Sequence, residues 1–317
     1  MPLTDKISTA VLQQVRKAVV GKDVIISKVL MAMLAGGHIL IEDIPGVGKT
    51  TMALAFSKAM ALQYRRVQFT PDTLPGDITG FSIYNRKTDT FEYKPGAAMC
   101  NLLLADEINR TSSRTQAALL EVMEEGSITV DGQTHPTPQP FVVIATQNPA
   151  GSAGTQLLPE SQLDRFMLRV TMGYPSLQNE IAILRNRRLH VPLDSVEPVA
   201  GVKDLLAMRR QAQEVYISDE LYEYIARLAD ESRRTPQLEL GISPRGVLAL
   251  AAMSRSCAYL LGRDYVVPED VQEMFFDVCG HRVVLSAQAR MENANAAQVL
   301  DALLGRVKAP KLAHKRG

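Results

Sequence analysis

Short apolar runs punctuate the first half of the chain. Residues 38–41 (His-Ile-Leu-Ile), 101–105 (Asn-Leu-Leu-Leu-Ala) and 141–146 (Phe-Val-Val-Ile-Ala-Thr) are apolar almost throughout, and 165–172 is a weaker fourth. Helical patterns separate them. Runs of this kind predict strands of a parallel sheet covered on both faces. Two segments break the rhythm. Residues 78–93 alternate like a hairpin around a polar turn at 85–89, and 127–135 contains Asp131-Gly132, a strong hairpin-turn signal. Both predict hairpins inserted into an α/β scaffold.

After Tyr174-Pro175 the pattern changes period. Residues 178–190 predict a helix, 191–200 a linker, and 205–215, 219–234, 244–261 and 268–278 further helices. Leu221, Tyr224, Ile225 and Leu228 recur at three and four residues, which makes a one-sided apolar stripe. Pro268-Glu269-Asp270 places proline and acid in a first helical turn, as the helix dipole favours. The expectation is an α/β core over 1–175 and an all-helical domain over 176–317, ending in a short basic tail from Lys308.

Composition narrows the class. The chain has 317 residues, 46% hydrophobic and 22% charged, which excludes a disordered or collagen-like chain. With 35 Lys+Arg against 34 Asp+Glu, the net charge of +1 argues against a protein built to coat nucleic acid or an anionic membrane. No window reaches the apolar length of a membrane span, and residues 1–10 lack the apolar stretch of a signal peptide. Cys100, Cys257 and Cys279 are far apart in apolar contexts, so reduced thiols and a cytoplasmic setting are expected. The histidines show no close ligand spacing, which argues against structural zinc.

The strongest chemical signal is Ile39-Leu-Ile-Glu-Asp-Ile-Pro-Gly-Val-Gly-Lys-Thr-Thr51. A strand enters a glycine-containing loop and a helix follows. Gly46 and Gly48 allow backbone N–H groups to approach a phosphate chain, and the helix beginning near Lys49 adds its positive end. In this reading Lys49 reaches the β- and γ-phosphates and the Thr50 hydroxyl holds Mg²⁺. Asp43, Pro45, Val47 and Thr51 complete the nucleotide-contacting set. The first position of the usual phosphate-loop pattern is Asp43 here, where glycine is ordinary.

Four further elements follow. The run 101–105 ends in Asp106-Glu107. Asp106 suits the Mg²⁺ shell, and Glu107 suits activation of an attacking water. The strand 141–146 leads to Asn148, whose amide suits contact with a γ-phosphate oxygen and the lytic water; a turn asparagine before proline is the bland alternative. Arg165, in Leu158-Pro-Glu-Ser-Gln-Leu-Asp-Arg-Phe166, is either a surface arginine paired with Asp164 or Glu160, or an arginine finger for a neighbouring subunit. Arg245 follows Ser243-Pro244 at the start of a helix, where a cation is poorly placed for the dipole; this hints at an anionic partner, with an ordinary exposed arginine as the bland alternative.

These elements, in this order, resemble the AAA+ ATPases. Within them the chain looks like the MoxR group, on Val19-Val-Gly-Lys22, Glu42 to Thr50, Pro71-Asp-Thr-Leu-Pro-Gly-Asp77, Ala105-Asp-Glu-Ile-Asn-Arg110, Ala145-Thr-Gln-Asn-Pro149 and Leu158 to Phe166. The match spans about residues 10–290, and an acid at the position of Asp43 is common in that group. Lys22 stands where glutamine is more usual, and Ser113-Arg114 where Pro-Lys is. The resemblance implies a P-loop AAA+ core and a helical lid. Lys49 and Thr50 would belong to Walker A, Asp106 and Glu107 to Walker B, Asn148 to sensor 1, Arg165 to the arginine finger and Arg245 to sensor 2. Val20 and Gly21 would lie beside the adenine. It also implies ATP and Mg²⁺, a hexameric ring, hairpins facing a central pore, and a chaperone-like role in maturing client proteins, often metal-cofactor enzymes, together with a von Willebrand factor A (VWA) domain partner.

Two other readings remain. A nucleic-acid motor would share these motifs; Arg86 and Lys87 on one hairpin favour it, while the balanced charge opposes it. A nucleotide-gated binding module with negligible turnover is opposed by the intact Asp106-Glu107 pair.

Overall fold

The computed structural model describes residues 3–44, 46–148, 158–187 and 191–311. Pro45, Pro149, the far end of the predicted 178–190 helix and the end of the basic tail lie outside these.

The three apolar runs form adjacent strands: β1 (Ile39–Glu42), β5 (Leu102–Asp106) and β8 (Val142–Gln147). The weaker fourth run contributes β9 (Leu168–Val170). With β2 (Tyr64–Gln68) they make a five-stranded sheet in the order β2-β5-β8-β1-β9, parallel at every pairing. In register, Ile39 lies opposite Ile144 and Leu168, and Leu102 lies opposite Val142 and Tyr64.

Strand side chains alternate between faces, so one run supplies two cores. Ile39, Ile41, Leu102, Leu104, Val142 and Ile144 join one buried cluster, with Val11 and Val15 of α1 (Leu3–Ala18), Leu30 of α2 (Asp23–Leu34) and Phe56 of α3 (Lys49–Ala59). Leu40, Leu103, Ala105, Val143 and Ala145 join the other, with Leu119 and Leu120 of α5 (Ser113–Glu125). Covering both faces explains why these runs are apolar without alternation.

Strand β2 was not foreseen. It lies at the sheet edge, its sequence Tyr-Arg-Arg-Val-Gln is half exposed, and its arginines hide the strand pattern. Charged residues on an edge strand also oppose unwanted pairing.

Both predicted hairpins are present. Helix α4 (Pro75–Thr79) leads into β3 (Gly80–Asn85) and its antiparallel partner β4 (Thr90–Pro95). Gly80 has φ +86°, and a Cβ there would sit 2.3 Å from the Lys94 carbonyl oxygen, so only glycine fits. The second hairpin pairs β6 (Ser127–Val130) with β7 (Gln133–Pro136); Asp131 and Gly132 both take positive φ in the two-residue turn. The Tyr93 and His135 rings stack at 3.9 Å, which joins the two hairpins.

After the short helix α6 (Glu160–Leu163) and β9, the chain becomes mainly helical: α7 (Leu177–Arg187), α8 (Val202–Glu214), α9 (Asp219–Arg234), α10 (Pro244–Leu260), α11 (Pro268–Cys279), α12 (Ala287–Met291) and α13 (Ala296–Arg306). The stripe on α9 is buried as its spacing predicts. One departure from an all-helical second part is a two-stranded antiparallel ribbon of β10 (Leu238–Leu240) and β11 (Val284–Leu285). Its strands are too short to show a period. All three cysteines are buried free thiols, and burial pushes each up to about 12. Among the described residues no helix is long and apolar enough to cross a membrane.

Candidate active site

Strand β1 delivers the chain into the loop 43–48, and α3 begins at Lys49. Gly46 and Gly48 take φ +87° and +100°. A Cβ at Gly46 would meet nothing within 4 Å, and at Gly48 only Met172 Cε at 3.8 Å. Glycine is therefore required by conformation, not space, and left-handed turns of this kind aim successive N–H groups into one concavity.

Lys49 is buried, and its Nζ donates to the Asp43 carbonyl oxygen at 2.7 Å. Burial lowers its pKa, while the charges of Asp106, Asp43 and Glu107 oppose that shift. The ammonium thus stands among three carboxylates. Thr50 and Thr51 lie in the first turn of α3. Thr51 borders a cavity of about 540 Å³ together with Val19, Val20, Gly46, Val47, Gly48 and Tyr174, and with Ile183 and Leu184 of α7. Gly21 has φ +72°, and a Cβ there would lie 1.9 Å from Asn179 Nδ2, so glycine permits α7 to close on this cavity.

Asp43 opens the loop, and its carboxylate turns to the chain's own amides. Its carboxylate accepts from the Ile44 N–H at 2.8 Å and the Gly173 N–H at 2.5 Å. Both oxygens bind amides of the chain. The acid ties the loop to the segment leaving β9.

Asp106 ends β5. Its Oδ1 accepts from Thr146 Oγ1 at 2.6 Å and its Oδ2 from Arg66 Nη2 at 2.7 Å. Glu107 takes a left-handed conformation, φ +58° and ψ 50°, and its N–H donates to Thr146 Oγ1 at 2.9 Å. One buried hydroxyl therefore spans both acids. Holding a non-glycine residue in this region costs about 1 kcal/mol and is characteristic of functional sites. Glu107 Oε1 accepts from Asn148 Nδ2 at 3.2 Å, and Oε2 from Gln68 Nε2 at 3.0 Å and Arg110 Nη1 at 3.1 Å. Asn148 Oδ1 is buried without a partner. Beside a carboxylate, a free buried acceptor is suited to a water that donates to both.

Together these residues fit a triphosphate with magnesium: a concavity of amides, a buried ammonium, the Thr50 hydroxyl, the Asp106 carboxylate, and an acid–amide pair with one open acceptor. The sequence reading missed Arg66, Gln68, Arg110 and Thr146. Thr146 lies inside a run read as apolar, and Arg66 and Gln68 lie on the unforeseen β2.

Arg165 and Arg245 lie elsewhere. Arg165 Nε is 3.0 Å from Glu124 Oε2, and Arg245 Nη2 binds Glu124 Oε1. Glu124 sits on the last turn of α5. The neighbouring Met123 carbonyl oxygen bonds to His38 Nε2 at 3.0 Å, just before β1 begins, and the Met167 N–H donates to the His38 oxygen at 2.8 Å, just before β9 begins. The arginines therefore occupy the strand-start end of the sheet. The four residues of β1 put about 10 Å of strand between that end and the loop carrying Lys49. The structure brings Lys49, Asp106, Glu107 and Asn148 together, and it brings Arg165 and Arg245 together, but not the two groups within one chain. Arg245, whose place at a helix start hinted at an anionic partner, has its guanidinium on Glu124.

The chain is similar to known proteins along nearly its whole length. Residues 38–168 match the model of the ATPase family associated with various cellular activities (AAA), and 230–303 match an AAA lid domain. Chaperone MoxR1 of Mycobacterium tuberculosis is 37% identical over 308 residues, covering 94% of this chain and 81% of that protein. The uncharacterised YeaC of Bacillus subtilis is 46% identical over 298 residues, covering 94% and 93%. A crystal structure from Cytophaga hutchinsonii, described as a candidate ATPase, superposes with a TM-score of 0.88 at 34% identity, covering 97% of this chain and 96% of that one. The parallel sheet, the phosphate-type loop, the acid pair and these likenesses agree: the chain belongs to the MoxR group of AAA+ ATPases.

Proposed function

We propose that this protein hydrolyses ATP with magnesium as one subunit of a hexameric ring, and uses the cycle to remodel a client protein, with a VWA-domain protein as helper. The observation that carries the ring is the separation of the two groups of residues. Arg165 and Arg245 stand at the opposite end of the sheet from Lys49, which supports a neighbour's arginines supplying the cations. The boundary near residue 175 divides the catalytic core from the lid.

In this reading the loop amides and Lys49 bind the β- and γ-phosphates, and Lys49 leaves the Asp43 carbonyl to do so. Thr50 and Asp106 hold the metal. Magnesium held there would neutralise charge on the phosphates. Glu107 accepts a proton from the attacking water while Asn148 Oδ1 orients it. Val20 and Gly21 border the base. Arg165 and Arg245 approach the γ-phosphate from the adjoining subunit, where cations stabilise the developing charge. Client contact is supported by the β3–β4 hairpin, which exposes Phe81, Ile83, Tyr84 and Phe91. That apolar display favours a polypeptide over nucleic acid, although Arg86 and Lys87 stand at the hairpin turn. The buried free thiols suit a cytoplasmic setting.

Mixed rings test the reading. Arg165→Ala subunits keep a phosphate site but lack the finger, and Lys49→Ala subunits are the converse. Each is expected to be inactive alone, and mixtures are expected to recover part of the phosphate release. No recovery at any ratio, with rings intact, would contradict action between subunits.

A further inference from the structure

Arg282 follows α11 in the helical part, and only 1% of its side chain is exposed. Most of its donors turn toward the segment that carries Arg165. Nε donates to Asp164 Oδ1 at 2.8 Å, and Nη2 donates to the carbonyl oxygens of Asp164 at 3.2 Å and Phe166 at 2.6 Å. Nη1 donates to the Val278 carbonyl oxygen and, at 3.4 Å, to that of Met167. One buried guanidinium therefore holds the backbone on both sides of Arg165.

The same carboxylate reaches Arg245. Ser243 Oγ lies 3.0 Å from each oxygen of Asp164 while it accepts the Gly246 N–H at 3.0 Å as the N-cap of α10. The first turn of α10, with Arg245 on it, is thereby fixed to the residue preceding Arg165. Packing agrees: a Cβ at Gly246 would lie 2.8 Å from Arg282 Cδ. The half-buried Arg165 and the exposed Arg245 guanidinium groups then converge on Glu124.

We infer that Asp164 and Arg282 are positioning residues that hold Arg165 and Arg245 as a single two-armed group, through which the helical part sets hydrolysis in the adjoining subunit. The inference rests on the proposed role of Arg165. Shape alone does not need an ion pair here, since well-packed apolar side chains often serve stability equally well. What the pair adds is orientation. A planar guanidinium with five donors fixes a turn that a lysine cannot grip at several points. Reacting groups displaced by about 1 Å can lose about a hundredfold in rate.

The test compares Asp164→Asn, Arg282→Lys and Ser243→Ala with Arg165→Ala in the full-length protein, measuring ATP affinity, steady-state phosphate release and mixed-ring recovery. Asp164→Asn is expected to lower turnover about tenfold or more while ATP affinity stays within about twofold. Mixing it with Lys49→Ala subunits should restore turnover as Arg165→Ala does, because the defect lies on the donating side. A merely structural lesion would weaken nucleotide binding as well and would not be complemented in this way. Asp164→Asn added to Arg165→Ala should cause no further loss. If Arg282→Lys fails to fold, Asp164→Asn and Ser243→Ala carry the test, the latter with a smaller loss of the same kind. Wild-type turnover in Asp164→Asn and Ser243→Ala, with Arg165→Ala inactive, overturns the inference. Wild-type turnover in Arg165→Ala overturns instead the finger role on which it rests.

Discussion

Replacing Thr146 by valine tests the hydroxyl that joins the two acids. The side chain is fully buried on β8, and valine keeps its shape. The substitution removes the 2.6 Å bond to Asp106 Oδ1, a charge-assisted contact worth about 2 kcal/mol. It also leaves the Glu107 N–H, now bonded to Oγ1 at 2.9 Å, without a partner, at about 1 kcal/mol or more. Asp106 retains Arg66. A destabilisation of about 3 kcal/mol follows for the α/β core. Turnover should fall further than stability alone explains, because the left-handed backbone at Glu107 loses its anchor. Thr146→Ser keeps both bonds and loses one methyl, so it should remain within about 1 kcal/mol and keep most activity. Urea unfolding and phosphate release under identical conditions measure both effects. Thr146→Val indistinguishable from wild type in both assays would refute the bridging role.

His38 gives a pH prediction. Its Nδ1 accepts the Val143 N–H at 3.0 Å and its Nε2 donates to Met123 O, so the ring must be neutral, and burial lowers its pKa from 6.5 to about 4. The unfolded chain takes up this proton first as pH falls, so stability drops by about 3 kcal/mol between pH 6.5 and 4. His281, also lowered by burial, acts in the same direction. His38→Gln should flatten that part of the profile in urea titrations, and an unchanged slope would refute the assignment. Gly80→Ala should strain the base of the β3–β4 hairpin by more than 1 kcal/mol, roughly, given its positive φ and its contact with Lys94 O. Faster amide exchange over 80–95 is the expected readout, and unaltered protection there would count against it.

What was legible in the sequence follows from physics that acts locally. The runs at 38–41, 101–105 and 141–146 became adjacent strands because burial on both faces demands unbroken apolar residues. Gly46, Gly48 and Lys49 were readable because a phosphate loop needs particular backbone freedom at fixed spacing. The acid pair and Asn148 followed because they end such strands. The rest depends on partners distant in the chain. Gln68 meets Glu107 only because β2 pairs with β5. The place of Asp43 in the loop was readable, but the bond of its carboxylate to Gly173, across 130 residues, was not. Arg245 was readable as a cation at a helix start, but its pairing with Glu124 was not, because it depends on the docking of α10 on Asp164. Arg282 carried no motif at all, and only its burial reveals it.

The central claim is a triphosphate site whose Glu107 activates water beside a loop that grips phosphate through Lys49. The most direct measurement is ATP retention and phosphate release by Glu107→Gln and Lys49→Ala in magnesium. Glu107→Gln is expected to hold ATP as tightly as wild type while losing most turnover, and Lys49→Ala to lose retention. Undiminished hydrolysis in Glu107→Gln, or full ATP retention in Lys49→Ala, would contradict the account.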